Sequence, residues 1–139
     1  MRYNLFIGRY QSPHIGHMHI FNTYLSEGKP ILIAIRDTVP DESNPLFAED
    51  VKELWEKVYQ DNPLVKVIVI PDIESVNYGR GVGYDVKEIK VEKEVANISA
   101  TEIRNQIING KTDWKNFVDE NIHQLLEDKI KIRVNSSLA

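Results

Sequence analysis

A chain of 139 residues with 17 Lys and Arg against 21 Asp and Glu is sized for one domain, and its net charge of −4 argues against broad nucleic-acid binding. Any polyanionic ligand must therefore be held by local cations, and the absence of cysteine excludes disulfides and thiolate metal sites. No apolar run approaches the ~20 residues of a membrane span and no signal-peptide pattern opens the chain, so a cytoplasmic protein without membrane contact is expected.

In chain order, residues 3–7 (Tyr-Asn-Leu-Phe-Ile) predict a buried first strand. Gly8-Arg9-Tyr10-Gln11-Ser12-Pro13-His14-Ile15-Gly16-His17 follows, and then a helix from His17 to about Ser26. There Ile20, Phe21, Tyr24 and Leu25 recur at one-and-four spacing, and Gly28 supplies the stop. Strand, glycine turn and helix put His14 and His17 at a helix start, where unpaired N–H groups and the positive dipole end suit a phosphate. Gly8 lets the backbone turn without a side-chain clash and Gly16 lets a ligand approach closely. Both imidazoles could donate to one anion. The spacing is equally compatible with a metal pair or with histidines that cap and pack.

Residues 30–35 are a continuous apolar run, as expected of a central parallel strand reached by a right-handed crossover. Arg36 and Asp37 leave its carboxyl end, the edge where open α/β sheets bind ligands, or form a solvated loop pair. Asn44-Pro45-Leu46-Phe47 leads into a second helix from about Ala48 to Gln60, with Val51, Leu54, Trp55 and Val58 inward and Trp55 read as core. A third strand spans Val65 to Ile70. The segment Asn77 to Tyr84 holds three of the seven glycines. It reads as a flexible hairpin or as a loop that approaches a base or phosphate, with Arg80 as its charged contact. Residues 84–91 alternate apolar and polar, which predicts a strand with one exposed face or an edge.

Ile98-Ser99-Ala100-Thr101-Glu102-Ile103-Arg104 reads as another helix start. Ser99 and Glu102 form a capping box, with Thr101 and Arg104 on the opening turn. Hydroxyls, free N–H groups and a guanidinium again suit phosphate oxygens. Ile103 and Ile107 point inward and Gly110 stops the helix. A last helix, capped by Thr112 or Asp113, is expected to run to about Asp128 with Phe117, Val118, Ile122, Leu125 and Leu126 inside. Residues 129–139 have no clear period and read as a C-terminal tail, disordered or non-native, so the single domain is expected to span 1–128. The local cations for a polyanion are Arg9, Lys52, Arg80 and Arg104.

The pair of stretches resembles the nucleotidylyltransferase superfamily, with its H-x-G-H motif after the first strand and its I-S-x-T-x-x-R motif late in the chain. The resemblance covers roughly residues 3 to 126. Gly8 to His14 is spelled as in nicotinamide-mononucleotide adenylyltransferases, with Arg9 and Gln11 where cytidylyltransferases carry Thr and Asp. Asn44 to Ala48 is similar to a segment of the same enzymes.

The resemblance implies an α/β fold, a three-layer sandwich on a mainly parallel Rossmann-like sheet. It also implies transfer of a nucleoside monophosphate, AMP from ATP, to a phosphorylated acceptor such as nicotinamide mononucleotide. His14, His17 and Arg104 are then catalytic. Gly8, Arg9, Tyr10, Gly16, Arg80, Ser99 and Thr101 bind the nucleotide, and Arg36 and Lys52 bind the acceptor. Mg2+ arrives with the triphosphate, without a protein carboxylate cage. The partners are these two small molecules, with a homo-oligomer compatible. A cytidylyltransferase using CTP and a phospho-alcohol, and a non-catalytic nucleotide-binding regulatory module, stay open as alternatives.

Overall fold

A computed structural model describes residues 1–42, 44–81, 83–87 and 100–138. The elements are β1 (Asn4–Gly8), α1 (Ile15–Ser26), β2 (Ile31–Asp37), α2 (Ala48–Val58), β3 (Val65–Pro71) and α3 (Ala100–Ile108), then 3₁₀ turns at Asp113–Phe117 and Glu120–Ile122, then α4 (His123–Leu138). Among the described residues the strands form one parallel sheet in the order β1-β2-β3. The architecture is α/β, compatible with a Rossmann-like fold.

Strand β2 is central because its apolar run can be buried on both faces. Ile31, Ile33, Ala34 and Ile35 are all buried. Across the sheet, Phe6 lies opposite Ile33 and Ile33 opposite Val67, so one face is a continuous apolar row. Sequential strand order with right-handed crossovers brings α1 and α2 to the same face. Their contacts agree: the rings of Phe21 and Trp55 meet edge to face at 5.2 Å, and the Tyr59 hydroxyl donates to Asn22 Oδ1 at 3.1 Å. Trp55 is fully buried, as expected, and stacks on Tyr59. The helix stops at Gly28 and Gly110 follow the expected chemistry, since both take a positive φ.

The C-terminal region departs from expectation. The stretch read as one helix from Thr112 or Asp113 begins instead with the two 3₁₀ turns, which bury Trp114, Val118 and Ile122 and leave Phe117 exposed. The helix break expected at residue 128 is absent, and α4 runs through Leu138. Two of its cations, Lys129 and Arg133, have partners on α2. Lys129 Nζ reaches Asp50 at 3.2 Å and Glu53 at 2.6 Å, and Arg133 donates twice to Asp50 at 2.9 and 3.1 Å. Burial by itself would raise the Asp50 carboxyl. The bonds from Arg133, the Phe47 amide and Lys129 outweigh it and hold the group below the usual carboxylate range. Ile130 is fully buried beside this cluster's helix face. Ile130→Ala is therefore expected to destabilise the protein by about 2–5 kcal/mol in chemical denaturation. A change near zero would restore the tail reading.

Tyr84 to Lys87, the described part of the strand expected at 84–91, are in no strand, and Tyr84 and Val86 are exposed. The rest of that expectation, residues 88–91, lies outside the described residues, as does Ser99.

Candidate functional site

The loop between β1 and α1 is built around an inward turn. Tyr10 takes a left-handed backbone, φ 51°, which is uncommon for a residue with a side chain. Its ring folds back over Gly8, where an added Cβ would meet the ring carbon Cζ at 2.9 Å. The need for glycine at position 8 is thus imposed by the Tyr10 ring, while the turn itself is made at Tyr10. That ring packs edge to face on His17 at 5.0 Å and on Trp55 at 5.7 Å. Burial pushes its hydroxyl up from the ordinary value. Tyr10 was expected to bind nucleotide; the structure turns its ring to the aromatic core beneath the loop.

His14 caps α1. The Gly16 N–H donates to His14 Nδ1 at 3.0 Å, and the His14 N–H donates to His17 Nδ1 at 3.2 Å. The reciprocal arrangement satisfies two of the orphan donors at the helix start, as a capping box does, with imidazoles in place of hydroxyl and carboxylate. The rings stack with centroids 3.9 Å apart. Because each Nδ1 accepts a backbone N–H, each neutral ring must carry its proton on Nε2. Among the described residues no protein group bonds either Nε2. Two parallel imidazoles therefore keep an N–H donor each beside a helix N-terminus.

Burial lowers the His14 pKa to about 4. Burial, and then the charge of His14, lower that of His17 to about 3. Both rings are neutral at pH 7. In the folded state they resist protonation that the unfolded chain accepts below about pH 6.5. Stability from this source is complete above that pH and is lost as pH falls toward 4. The expected result in an NMR titration is that neither ring titrates between pH 8 and 5.5, with Nε2–H tautomer shifts throughout. A midpoint near 6.5 for His14 and His17 would mean that the rings are solvated.

The late motif reaches this loop from 93 residues away. Arg104 on α3 donates through Nη1 to the Gln11 carbonyl and through Nη2 to Thr101 Oγ1 at 3.2 Å. Arg104 is buried, and desolvation pulls its guanidinium down from the ordinary value, with the Asp41 charge acting in the opposite sense. No carboxylate forms a salt bridge with it among the described residues. Of the five buried polar residues described, Gln11, Ser12, His14, Asp50 and Arg104, only Asp50 lies away from this loop. Such a concentration is unusual in a core, and it makes this loop the candidate site.

Gln11 supplies the loop's anchor. Its Nε2 donates to the Leu46 carbonyl at 2.8 Å and its Oε1 accepts from the Leu46 N–H at 3.0 Å. The Ser12 hydroxyl, fully buried, has no partner among the described residues.

The other expected site residues divide. Gly16 is buried in the cap and Thr101 sits exposed beside Arg104. Arg9 lies on the same loop and donates from Nε to Thr38 Oγ1 at 3.1 Å. Arg36 stands at the carboxyl end of β2, where it lines a cavity of about 380 Å³ with Ile7, Gly8, Ile73, Glu74 and Ser75. Its guanidinium is held by Asp72 Oδ1 at 2.7 and 3.0 Å. Lys52 does not line this cavity and pairs with Glu56 on its own helix at 3.7 Å. Arg80 is exposed in the loop after β3, with no contact to the histidines described. Ser99 lies outside the described residues.

This chain matches no family model, and no curated protein matches it significantly in sequence. Motif and geometry carry the functional reading. The roles of Gln11 and Asp72 escaped sequence reasoning, because a polar side chain in a loop gives no sign of a partner 35 or 36 residues away. Among the described residues no group of three or more His, Cys, Asp or Glu side chains could hold a metal ion. No described helix is long and apolar enough to cross a membrane.

Proposed function

We propose that this protein is a nucleotidylyltransferase of the three-layer, Rossmann-like type, transferring AMP from ATP to a phosphorylated small-molecule acceptor with release of pyrophosphate. The observation that carries this reading is the buried Arg104 guanidinium, without a salt bridge among the described residues, docked on the same loop as two imidazoles whose Nε2–H groups meet no described protein group. A buried cation is stable only when charge or hydrogen bonds compensate it, and a polyphosphate supplies both.

In the proposed reaction an acceptor phosphate oxygen attacks the α-phosphorus. The bond from that phosphorus to the α–β bridging oxygen breaks, and its electron pair leaves with pyrophosphate. Charge grows on the α-phosphate oxygens and on the bridging oxygen, where the His14 and His17 Nε2–H groups would donate. Preorganised donors aimed at developing charge act on the barrier more than on ground-state binding. Arg104 and Thr101 would hold the departing β- and γ-phosphates, with Arg9 nearby on the loop. Magnesium is part of the substrate, bound to the triphosphate. The chain's own residues bind and align, and no covalent enzyme intermediate is needed.

The cavity beside Arg36 is the proposed acceptor seat. Its volume suits a small molecule, and it opens at the carboxyl ends of the strands, where α/β sheets bind ligands. An acceptor phosphate would compete with Asp72 for the guanidinium. Because Lys52 lies apart from this cavity, the reading assigns it no contact.

Pyrophosphate release measured with equal ATP and CTP, magnesium and a panel of phosphorylated acceptors tests the proposal. ATP is expected to be preferred, since Arg9 and Gln11 stand where cytidylyltransferases carry Thr and Asp. Turnover with CTP alone would favour a cytidylyltransferase with a phospho-alcohol acceptor. Tight nucleotide binding without turnover for any acceptor would favour a regulatory module.

A further inference from the structure

We propose that Gln11 is a positioning residue for the anion seat, setting the Arg104 guanidinium through its backbone carbonyl while its side chain clips that backbone to Leu46. The inference rests on the proposed function and adds to it a residue whose side chain contacts no substrate.

Between Tyr10, with its left-handed backbone, and His14, which caps α1, lie only Gln11, Ser12 and Pro13. Pro13 has no N–H, and the Ser12 hydroxyl has no partner among the described residues. Among the described contacts, the Gln11 side chain is thus the one of the three that holds the peptide plane presenting the Gln11 carbonyl. It does so with two bonds, at 2.8 and 3.0 Å, to the carbonyl and the N–H of one residue. A two-point clip removes rotation that a single bond would allow.

The platform on the other side is itself anchored. Leu46 is buried, and the next N–H, that of Phe47, donates to Asp50 Oδ2 at 3.0 Å. Arg133 of α4 stands 4.5 Å over the Phe47 ring while it holds the same carboxylate. The guanidinium is thereby referenced to the body of the protein through Gln11 and Leu46. Its own helix adds only the neighbouring bond to Thr101.

A double-mutant cycle tests this with inorganic tripolyphosphate and ATP as probes in calorimetry. Gln11→Met has the same length and neither hydrogen bond. It is expected to weaken binding of both probes about tenfold in the wild-type background and less than about twofold in an Arg104→Met background. Its cost in thermal stability is expected to be equal in the two backgrounds, because the lost Leu46 bonds do not depend on Arg104. Equal losses of affinity in both backgrounds would reduce Gln11 to a structural amide and overturn the proposal. Gln11→Asn keeps an amide but falls one methylene short of Leu46, and it serves the same cycle where methionine unfolds the chain.

A ligand-free reading separates this proposal from the functional one. The Arg104 guanidinium N–H resonances are expected to exchange slowly in the wild type and quickly in Gln11→Met. Unchanged exchange would overturn the positioning role. Failure of the wild type to bind either probe would instead remove the nucleotidyl-transfer reading and leave the exchange result to decide the role of Gln11.

Discussion

Replacing His17 by alanine is expected to lower turnover about 10²–10³-fold while ATP affinity falls only slightly, because a donor matched to transition-state charge acts on the barrier. The His17 ring also has a structural duty, since Nδ1 accepts the His14 N–H and the ring packs against Tyr10 and Trp55. His17→Asn separates the two. Its side-chain oxygen can accept the same backbone N–H, but it has no donor where Nε2 stands. Stability is expected to return toward wild type in His17→Asn with turnover still lost. Rate and affinity measured together decide the matter: equal losses in both would make His17 a plain binding residue, and recovery of turnover with asparagine would make it only a cap.

Arg104→Met is expected to move binding and stability in different degrees. Removing a buried charge that meets its partner in the complex costs about 2–5 kcal/mol of affinity, roughly 30- to 5,000-fold. In the free protein the same guanidinium is desolvated without a salt bridge among the described residues, and methionine fills similar volume at no desolvation cost. The lost bonds to the Gln11 carbonyl and Thr101 are worth about 1 kcal/mol net. Unfolding free energy is therefore expected to stay within about 1 kcal/mol of wild type, or to rise. Calorimetric titration with ATP beside denaturant unfolding checks both halves. A large loss of stability with unchanged affinity would make Arg104 a structural residue and remove the strongest support for nucleotide binding.

The two histidines illustrate why geometry matters beyond motif. Their spacing alone was compatible with a phosphate seat, a metal pair or a simple cap. In the folded chain they do cap, each through Nδ1, and capping is what assigns the proton to Nε2. Capping and donating are thus complementary uses of one ring. The same burial that makes the rings neutral keeps them as N–H donors with no charge to repel or to titrate near neutral pH.

Local signals alone determined the order β1, α1, β2, α2, β3, the helix stops at Gly28 and Gly110, the buried role of Trp55 and the helix that carries Thr101 and Arg104. These depend on apolar periodicity and backbone conformational preference, which act over a few residues and are therefore written in consecutive positions. Tertiary structure alone decided which polar residues meet. It turned Tyr10 inward onto Gly8, clipped Gln11 to Leu46, brought Arg104 across 93 positions to the first loop, and tied Arg36 to Asp72. It also carried the last helix through Leu138, where no period was legible, and paired Lys129 and Arg133 with the buried Asp50 of α2. A charge or an amide carries no mark of a distant partner in its own stretch of chain. Its partner exists only once the sheet and helices have closed the distance, and that is where this protein's candidate site is made.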